Sequence, residues 1–362
     1  MTAEVPSIHV YYSKDLPANP PARNGYAKKI ALIGAFDTTE ENPKLFNTLT
    51  EATDTFGDDT TNYKGCKVLE PLFNGASSIL AVNITTETTD TSGSEPVTTR
   101  EKDITTTKLT NALAKIKGED WDILFIADNL TADFLPIITH LLDEVAEMKY
   151  PAGFIGAINA GNVSANVALA SLAGEHCYGL INQSFEIAGT SYDLLYSAAY
   201  YCGLIAGLYV GNSMTNKRVN GVTGVTPELS FETAGDGKTL LEAGITTFKC
   251  QDRNTNTYVV VNSEQPNELD LYINRVRDYV VKEMNLNRFL GDRNRPKTLN
   301  QVIQELDRIK YNCVDTLDLL KDIKYWVEKE SAKHAGIHID ELLFDDILTR
   351  INVYVRVKID DE

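Results

Sequence analysis

The chain has 362 residues, 43% of them hydrophobic, with a formal net charge of −17 and a pI near 4.8. That length and apolar content suit a globular protein of about two domains. The acidity argues against nucleic-acid binding, which needs a basic footprint to neutralise phosphates.

Residues 1–25 read as an extended arm. Val5, Ile8, Val10 and Tyr12 make a short strand-like run, and Pro6, Pro17, Pro20 and Pro21 bar regular structure beyond it. The apolar run 28–36 predicts a strand, 46–56 and 67–73 predict helices, and 77–84 predicts a second strand. The Thr-rich stretch 85–107, with Gly93 and Pro96 inside it, reads as a surface loop or a hairpin. A short helix follows at 109–116.

An alternation of strands and helices comes next: strand 122–127, helix 131–148, strand 153–158, helix 162–172, strand 178–187 and helix 192–210. This rhythm implies parallel strands with helices on the sheet faces. Leu194 to Gly211 carries no charge and is just long enough to raise a membrane span, with Gly203, Gly207 and Gly211 at GxxxG spacing. It also holds Tyr196, Tyr200, Tyr201 and Tyr209, so a buried small-residue helix packed closely on a sheet is the better reading.

After Gly211 the rhythm changes. Residues 220–224 read as a linker or extended segment, 239–243 as a short helix, and 245–248 with 258–261 as a hairpin. A helix is expected over 269–284, striped by Leu269, Ile273, Val276, Val280 and Met284, with Arg275 and Arg277 available to pair with Asp270 or Asp278. Thr298 and Gln301 form a capping-box pattern at the head of another helix. Its stripe of Val302, Leu306, Ile309, Cys313, Leu317, Leu320, Ile323 and Val327 predicts one continuous helix, stopped at Gly336. Two strand-like runs close the chain, 337–344 and 351–359. In the second, Ile351, Val353, Val355, Val357 and Ile359 occupy alternate positions, so one face is meant for burial.

Motifs for catalysis do not gather. Gly235 to Thr239 ends like a phosphate loop, but Glu232 stands where the first glycine belongs. Gly153, Gly156 and Gly161 do not fit a dinucleotide turn. His334 and His338 have a helical metal spacing but no completing acid, and His176 beside Cys177 is adjacency, not a dyad. Five scattered cysteines (Cys66, Cys177, Cys202, Cys250, Cys313) read as free thiols of a reducing compartment, and residues 1–10 lack an export-signal pattern. The enzyme-like candidates are Asp128 and Asn159, each following a strand where open α/β sheets bind ligands; both are also ordinary turn or cap residues.

The order of motifs resembles the contractile tail sheath proteins of phages and related injection systems. Val5 to Tyr12 is similar to that family's opening, a proline then an extended apolar strand, and residues 30–36 to its first core strand. Thr55-Phe56-Gly57, Phe73-Asn74-Gly75-Ala76 before a strand, and Ser197-Ala198-Ala199 through Gly207 are also similar to family motifs. So are Leu240 to Thr246 and the helix Asp270 to Tyr279. Asn74-Gly75-Ala76 lacks the family's second glycine, and Leu241-Glu242 replaces its Leu-Asn.

The resemblance implies a structural role without catalytic, cofactor-binding or metal residues. It implies an N-terminal α/β sheet domain, a C-terminal α+β domain and strand arms, divided as 1–25, 26–215, 216–346 and 347–362. The arms would pair with strands of neighbouring copies, knitting hexameric rings into a helical lattice around an inner tube. Expected partners are further copies of the chain, the inner tail tube protein, and baseplate and tail terminator proteins, with no direct nucleic acid and no membrane insertion. Assembly is expected in the bacterial host cytoplasm, as part of a phage tail or phage-tail-like particle. A helix over 314–333 would offer Lys321, Lys324, Lys329 and Lys333 to an acidic tube, or simply present a solvated face. The rivals are a cytosolic α/β enzyme using the strand ends near Asp128 and Asn159, and a non-contractile binding module.

Overall fold

A computed structural model describes residues 28–38, 40, 42–58, 60, 62–90, 97–148, 151–284, 296–328 and 336–344. The arm residues Val5, Ile8, Val10, Tyr12, Ile351, Val353, Val355, Val357 and Ile359, and also Lys329, Lys333 and His334, lie outside them.

The first half runs β1 (Lys29–Gly34), β2 (Lys44–Phe46), α1 (Leu49–Phe56), α2 (Lys64–Phe73), β3 (Ser78–Asn83), β4 (Thr86–Asp90), β5 (Val97–Glu101), α3 (Thr106–Ile116), β6 (Ile123–Leu130), α4 (Phe134–Met148), β7 (Gly153–Ile158), α5 (Val163–Ala170) and β8 (Cys177–Ile181). One six-stranded sheet orders these as β2-β3-β1-β6-β7-β8, parallel throughout except for the short edge strand β2. The parallel strands are covered on both faces, so β3 and β7 are buried at every position, β7 as an apolar run throughout and β3 as one from Ile79 to Val82 between Ser78 and Asn83. Helix starts follow local chemistry. Thr48, Thr105 and Asn162 each accept a backbone N–H of the first turn and satisfy a donor that the helix cannot.

The second half runs β9 (Ser184–Ile187), β10 (Thr190–Ser191), α6 (Leu194–Gly207), β11 (Val222–Thr226), α7 (Asp236–Glu242), β12 (Phe248–Asp252), β13 (Thr257–Val260), α8 (Leu271–Glu283), α9 (Pro296–Tyr311), a π-helical turn (Asn312–Thr316), β14 (Asp322–Glu328) and β15 (Gly336–Leu343). The mixed α/β class with helices on a parallel sheet is as expected, and several boundaries move. Phe46 lies in β2, not in a helix; α1 begins only after its Thr48 cap. Of the two readings of 85–107, the hairpin is realised as β4 and β5.

The strand predicted at 178–187 is two strands in different sheets. The buried Gln183 sits at the corner, its amide donating to Pro227 O and Phe248 O while its carbonyl accepts Phe248 N–H. That side chain supplies the pairing which a straight ladder would have given, so β9 can leave for the β10-β9-β11 sheet. Residues 222–226 take the extended alternative as β11.

The long helix predicted from Thr298 to Gly336 is wrong beyond Thr316. Its head includes Pro296, a residue suited to a first turn, so Thr298 lies inside the helix. Asp318 then adopts φ 49°, which ends helical geometry, and Ile323, Tyr325 and Val327 alternate along β14. The apparent steps of three and four through Leu320, Ile323 and Val327 mimicked a helical stripe. The run Ile323-Lys324-Tyr325-Trp326-Val327 is β-branched and aromatic, and that preference prevails. Lys321 and Lys324 therefore lie at and on a strand, not on one helical face.

Two apolar cores result. The larger gathers the six-stranded sheet with α1 to α4, α6 and residues as late as Val260 and Leu271. The smaller joins α8, α9, β14 and Val210, through Val276, Val280, Leu306 and Ile323. Residues from Met214 to Val260 thus pack with the larger core. The uncharged segment 194–211 is largely α6, packed on the sheet; among the described residues no helix is long and apolar enough to cross a membrane. Its glycines allow close approach to α2. A Cβ on Gly203 would stand 2.2 Å from Pro71 O, and one on Gly75 1.9 Å from Gly203 O.

Candidate functional site: strand ends, buried polar joint and open hairpin

The parallel strands, numbered along the chain, lie in the order 2-1-3-4-5. In such a sheet the natural ligand crevice lies between the carboxyl ends of β1 and β6, where the strand order reverses. This chain fills it. The start of α2 tucks over the crevice, with Gly65 N–H donating to Ala35 O at 2.9 Å, and a Cβ on Gly34 would stand 2.8 Å from the Ala127 methyl. Asp128 is the sixth residue of β6, inside the strand and not beyond it, and it takes an ion pair from Lys64 at 2.6 Å. Arg100 of the β4–β5 hairpin reaches Asp37 at 2.5 Å and Glu87 at 2.7 Å beside it.

Asn159 is better placed. With Asn162, Asn182, Ser230 and Asp236 it lines a cavity of about 530 Å³, whose lining does not include Asp128. Asn162 is already used as the cap of α5, and Asn166 accepts Ala160 N–H at 2.9 Å. The phosphate-loop mimic lies nearby. Its Gly235 and Gly237 N–H groups donate to Glu232 O and Ser230 O, both at 2.9 Å, so the chain's own carbonyls take the places of a phosphate.

Cys177 is buried, and burial pushes its thiol up to about 12, the opposite of an activated nucleophile. His338 stands on strand β15, not on a helix, and stacks on Trp326. Among the described residues one cluster has metal-ligand composition: Asp143, Glu175 and His176. The Nε2 of His176 lies 3.3 Å from Asp143, but its buried Nδ1 has no partner, whereas a metal-bound histidine normally donates through its second nitrogen.

The polar groups that converge most closely lie at the opposite end of the sheet, where α8 crosses the larger body. Arg275 is 1% exposed, and its guanidinium donates to Ile205 O at 3.0 Å, Leu208 O at 2.8 Å and Tyr209 O at 3.4 Å. These are carbonyls at and just beyond the end of α6, where Ile205 O also accepts the Leu208 N–H, and a cation suits the negative end of the helix dipole. Desolvation lowers the Arg275 pKa to about 10. Asp278 accepts the Tyr178 hydroxyl at 2.6 Å and Arg277 Nε at 2.8 Å. Burial first, and then the Asp278 carboxylate, push the Tyr178 phenol well above its ordinary value. Lys282 completes the row, reaching Asp122 at 2.7 Å and Asp120 at 2.9 Å.

Pairing of Arg277 with Asp278 was foreseeable. The role of Arg275 was not, because a lone basic residue on a helix normally reads as solvated and its carbonyl partners lie far off in sequence. The available signal was the spacing of Arg275, Asp278 and Lys282, which sets a second, polar stripe beside the apolar one.

The β14–β15 hairpin is the remaining candidate. It forms a two-stranded sheet whose outer edges carry no strand among the described residues. Its inner face, with Ile323, Tyr325 and Ile339, packs on the smaller core. Its outer face bears the Lys324–Glu341 ion pair and Trp326, 47% exposed and stacked on His338 at 4.8 Å.

Residues 102–263 match the model of the phage tail sheath protein central domain. None of the curated proteins matches the sequence. Among solved structures, the chain is similar to a sheath tail protein from Desulfitobacterium hafniense, at 12% identity and TM-score 0.63, over 86% of this chain and 93% of that one. It is similar to a sheath tail protein from Listeria innocua at 11% identity and TM-score 0.59, over 88% and 96%. It is also similar to a chain of the anti-feeding prophage helical sheath in its contracted state, at 13% identity and TM-score 0.58, over 98% of each. The family match and the shared fold agree: residues 102–263 are similar to the central domain of phage tail sheath proteins, within a fold that sheath proteins share along most of this chain's length.

Proposed function

We propose that the protein is the structural subunit of a contractile tail sheath. It polymerises as stacked hexameric rings around an inner tube and contracts to drive that tube through a cell envelope. The observation that carries this reading is the open β14–β15 hairpin in a chain with strand-patterned arms. A two-stranded sheet is marginal alone, and its unpaired edges are templates for an added strand.

Residues 351–359 of a neighbouring copy would span about 30 Å when extended, enough to lie along the seven residues of β14 or the eight of β15. Val5, Ile8, Val10 and Tyr12 would supply a second strand, and Ile351, Val353, Val355, Val357 and Ile359 the buried face of the first. Each copy would give strands to neighbours and receive theirs, a heterologous contact that propagates instead of closing. The outer face of the hairpin, with Lys324, would turn to the tube, with Lys321 at the foot of β14 and Lys329 and Lys333 as further contacts. Baseplate and terminator proteins would cap the lattice, assembled in the bacterial host cytoplasm as part of a phage tail or phage-tail-like particle.

The rival reading, a ligand site at the strand ends, has the cavity beside Asn159 in its favour. Negative-stain electron microscopy of the purified chain, alone and co-expressed with its tube protein, separates the two. Hollow striated cylinders that vanish when residues 1–14 or 348–362 are deleted support the sheath. Uniform small particles under every condition, with tube and baseplate present, refute it.

A further inference from the structure

α8 has two buried faces of opposite character. Val276 and Val280 enter the smaller core, while Arg275, Asp278 and Lys282 are buried against the larger body. An apolar joint tolerates sliding, because burial is non-directional. A buried polar joint does not, since each donor displaced from its acceptor is left desolvated and unpaired. These side chains reach different elements: the end of α6, Tyr178 of β8, and Asp122 just ahead of β6. Three anchors on separate elements restrict rotation as well as translation, and the cavity that they line with Tyr178 and Asp122 has a volume of only about 10 Å³.

We infer that Arg275, Asp278 and Lys282 are positioning residues that fix the angle between the two cores, so that a movement of one body is delivered to the other through α8. The purpose of this device rests on the sheath reading; its test does not.

The test uses the full-length, unassembled chain. Spin labels are placed at the exposed Ser171 and Tyr311, one on each body, after both are changed to cysteine. Cys250→Ser removes the native thiol that is not buried. Pulsed electron paramagnetic resonance then reads the inter-body distance. Arg275→Lys keeps the charge but loses the fork that serves several carbonyls, and Lys282→Met keeps the length but takes the ammonium away from Asp122.

Both variants are expected to broaden the distance distribution roughly twofold, because the polar anchors confer the unique orientation. Val276→Ala, on the apolar face of the same helix, weakens the joint without touching an anchor and should leave the width unchanged. If neither polar variant broadens the distribution, or if Val276→Ala broadens it equally, the inference is overturned. Should Lys282→Met fail to fold, Tyr178→Phe, which removes one hydroxyl from the Asp278 anchor, takes its place. The distances decide the matter even where no cylinder forms, so this inference and the sheath reading fail separately.

Discussion

Gly203→Ala offers a sharp check on the packing of α6, because local and tertiary effects oppose each other. In a helix interior, alanine is favoured over glycine by about 1 kcal/mol. Gly203 is helical, so backbone propensity alone predicts a more stable protein. The surroundings predict the reverse. The new methyl carbon would stand 2.2 Å from Pro71 O and 3.0 Å from Leu72 O, against roughly 3.5 Å for a comfortable non-bonded contact. Both obstacles are backbone atoms of α2 and cannot swing aside, so the helices must part by about 1 Å, and a gap of that size forfeits up to half of each contact's attraction along the seam. Overpacking of this kind typically costs 1–3 kcal/mol, and the backbone origin of both clashes puts this site at the upper end. After the propensity gain, a net loss of about 2 kcal/mol is expected. Gly118→Ala is the control, since no atom lies within 4 Å of its added methyl. Urea unfolding followed by far-UV circular dichroism measures both. A Gly203→Ala protein as stable as the wild type, or more so, would refute the close-approach account of the uncharged segment.

Alkaline pH should also loosen the fold. Burial raises the folded pKa of Tyr178 well above 10, and Tyr201 is raised by the same cause. The unfolded phenols titrate near 10, so this contribution is whole below pH 10 and is lost as the pH rises toward the folded values, at up to about 1.4 kcal/mol per pH unit for each tyrosine. Urea midpoints at pH 8, 10 and 11 check the sign, and Tyr178→Phe should flatten the slope; a midpoint constant to pH 11 would contradict it. Asp128→Ala removes one half-exposed ion pair and should change stability by about 1 kcal/mol or less, leaving cylinder assembly intact. A loss of assembly without a loss of stability would return Asp128 to the list of functional residues. Gln183→Leu should destabilise by roughly 2–3 kcal/mol, because it strands the buried groups of Phe248. Deleting 348–362 is expected to leave the thermal midpoint unchanged while abolishing cylinders.

What could be read from the sequence followed the range of the forces involved. The parallel strands were legible because burial on both faces writes an unbroken apolar run, as in β7 and in Ile79 to Val82 of β3. The small residues of α6 were legible as close packing, though not that Pro71 of α2 and Gly75 just beyond it were the partners. The break after Thr316 was missed because Ile323 and Val327, four apart, share a face in a strand as well as in a helix. Only the Tyr325-Trp326 pair and the Asp318 turn decide between the two.

The least legible feature was the polar face of α8. Arg275 finds α6 carbonyls some 70 residues away, Asp278 a hydroxyl 100 residues away, and Lys282 a carboxylate 160 residues away. No local pattern encodes such partners, since a charged stripe looks the same whether water or protein faces it. The burial of that stripe follows from the apolar stripe beside it. Once Val276 and Val280 commit α8 to the smaller core, the adjoining face is turned to the larger body, and its charges must be answered there. That answer lies at the amino end of the sheet, away from the strand ends where the chain has filled its own ligand crevice. A fold that elsewhere serves as a ligand-binding scaffold here gathers its closest set of buried polar groups where α8 meets the larger core.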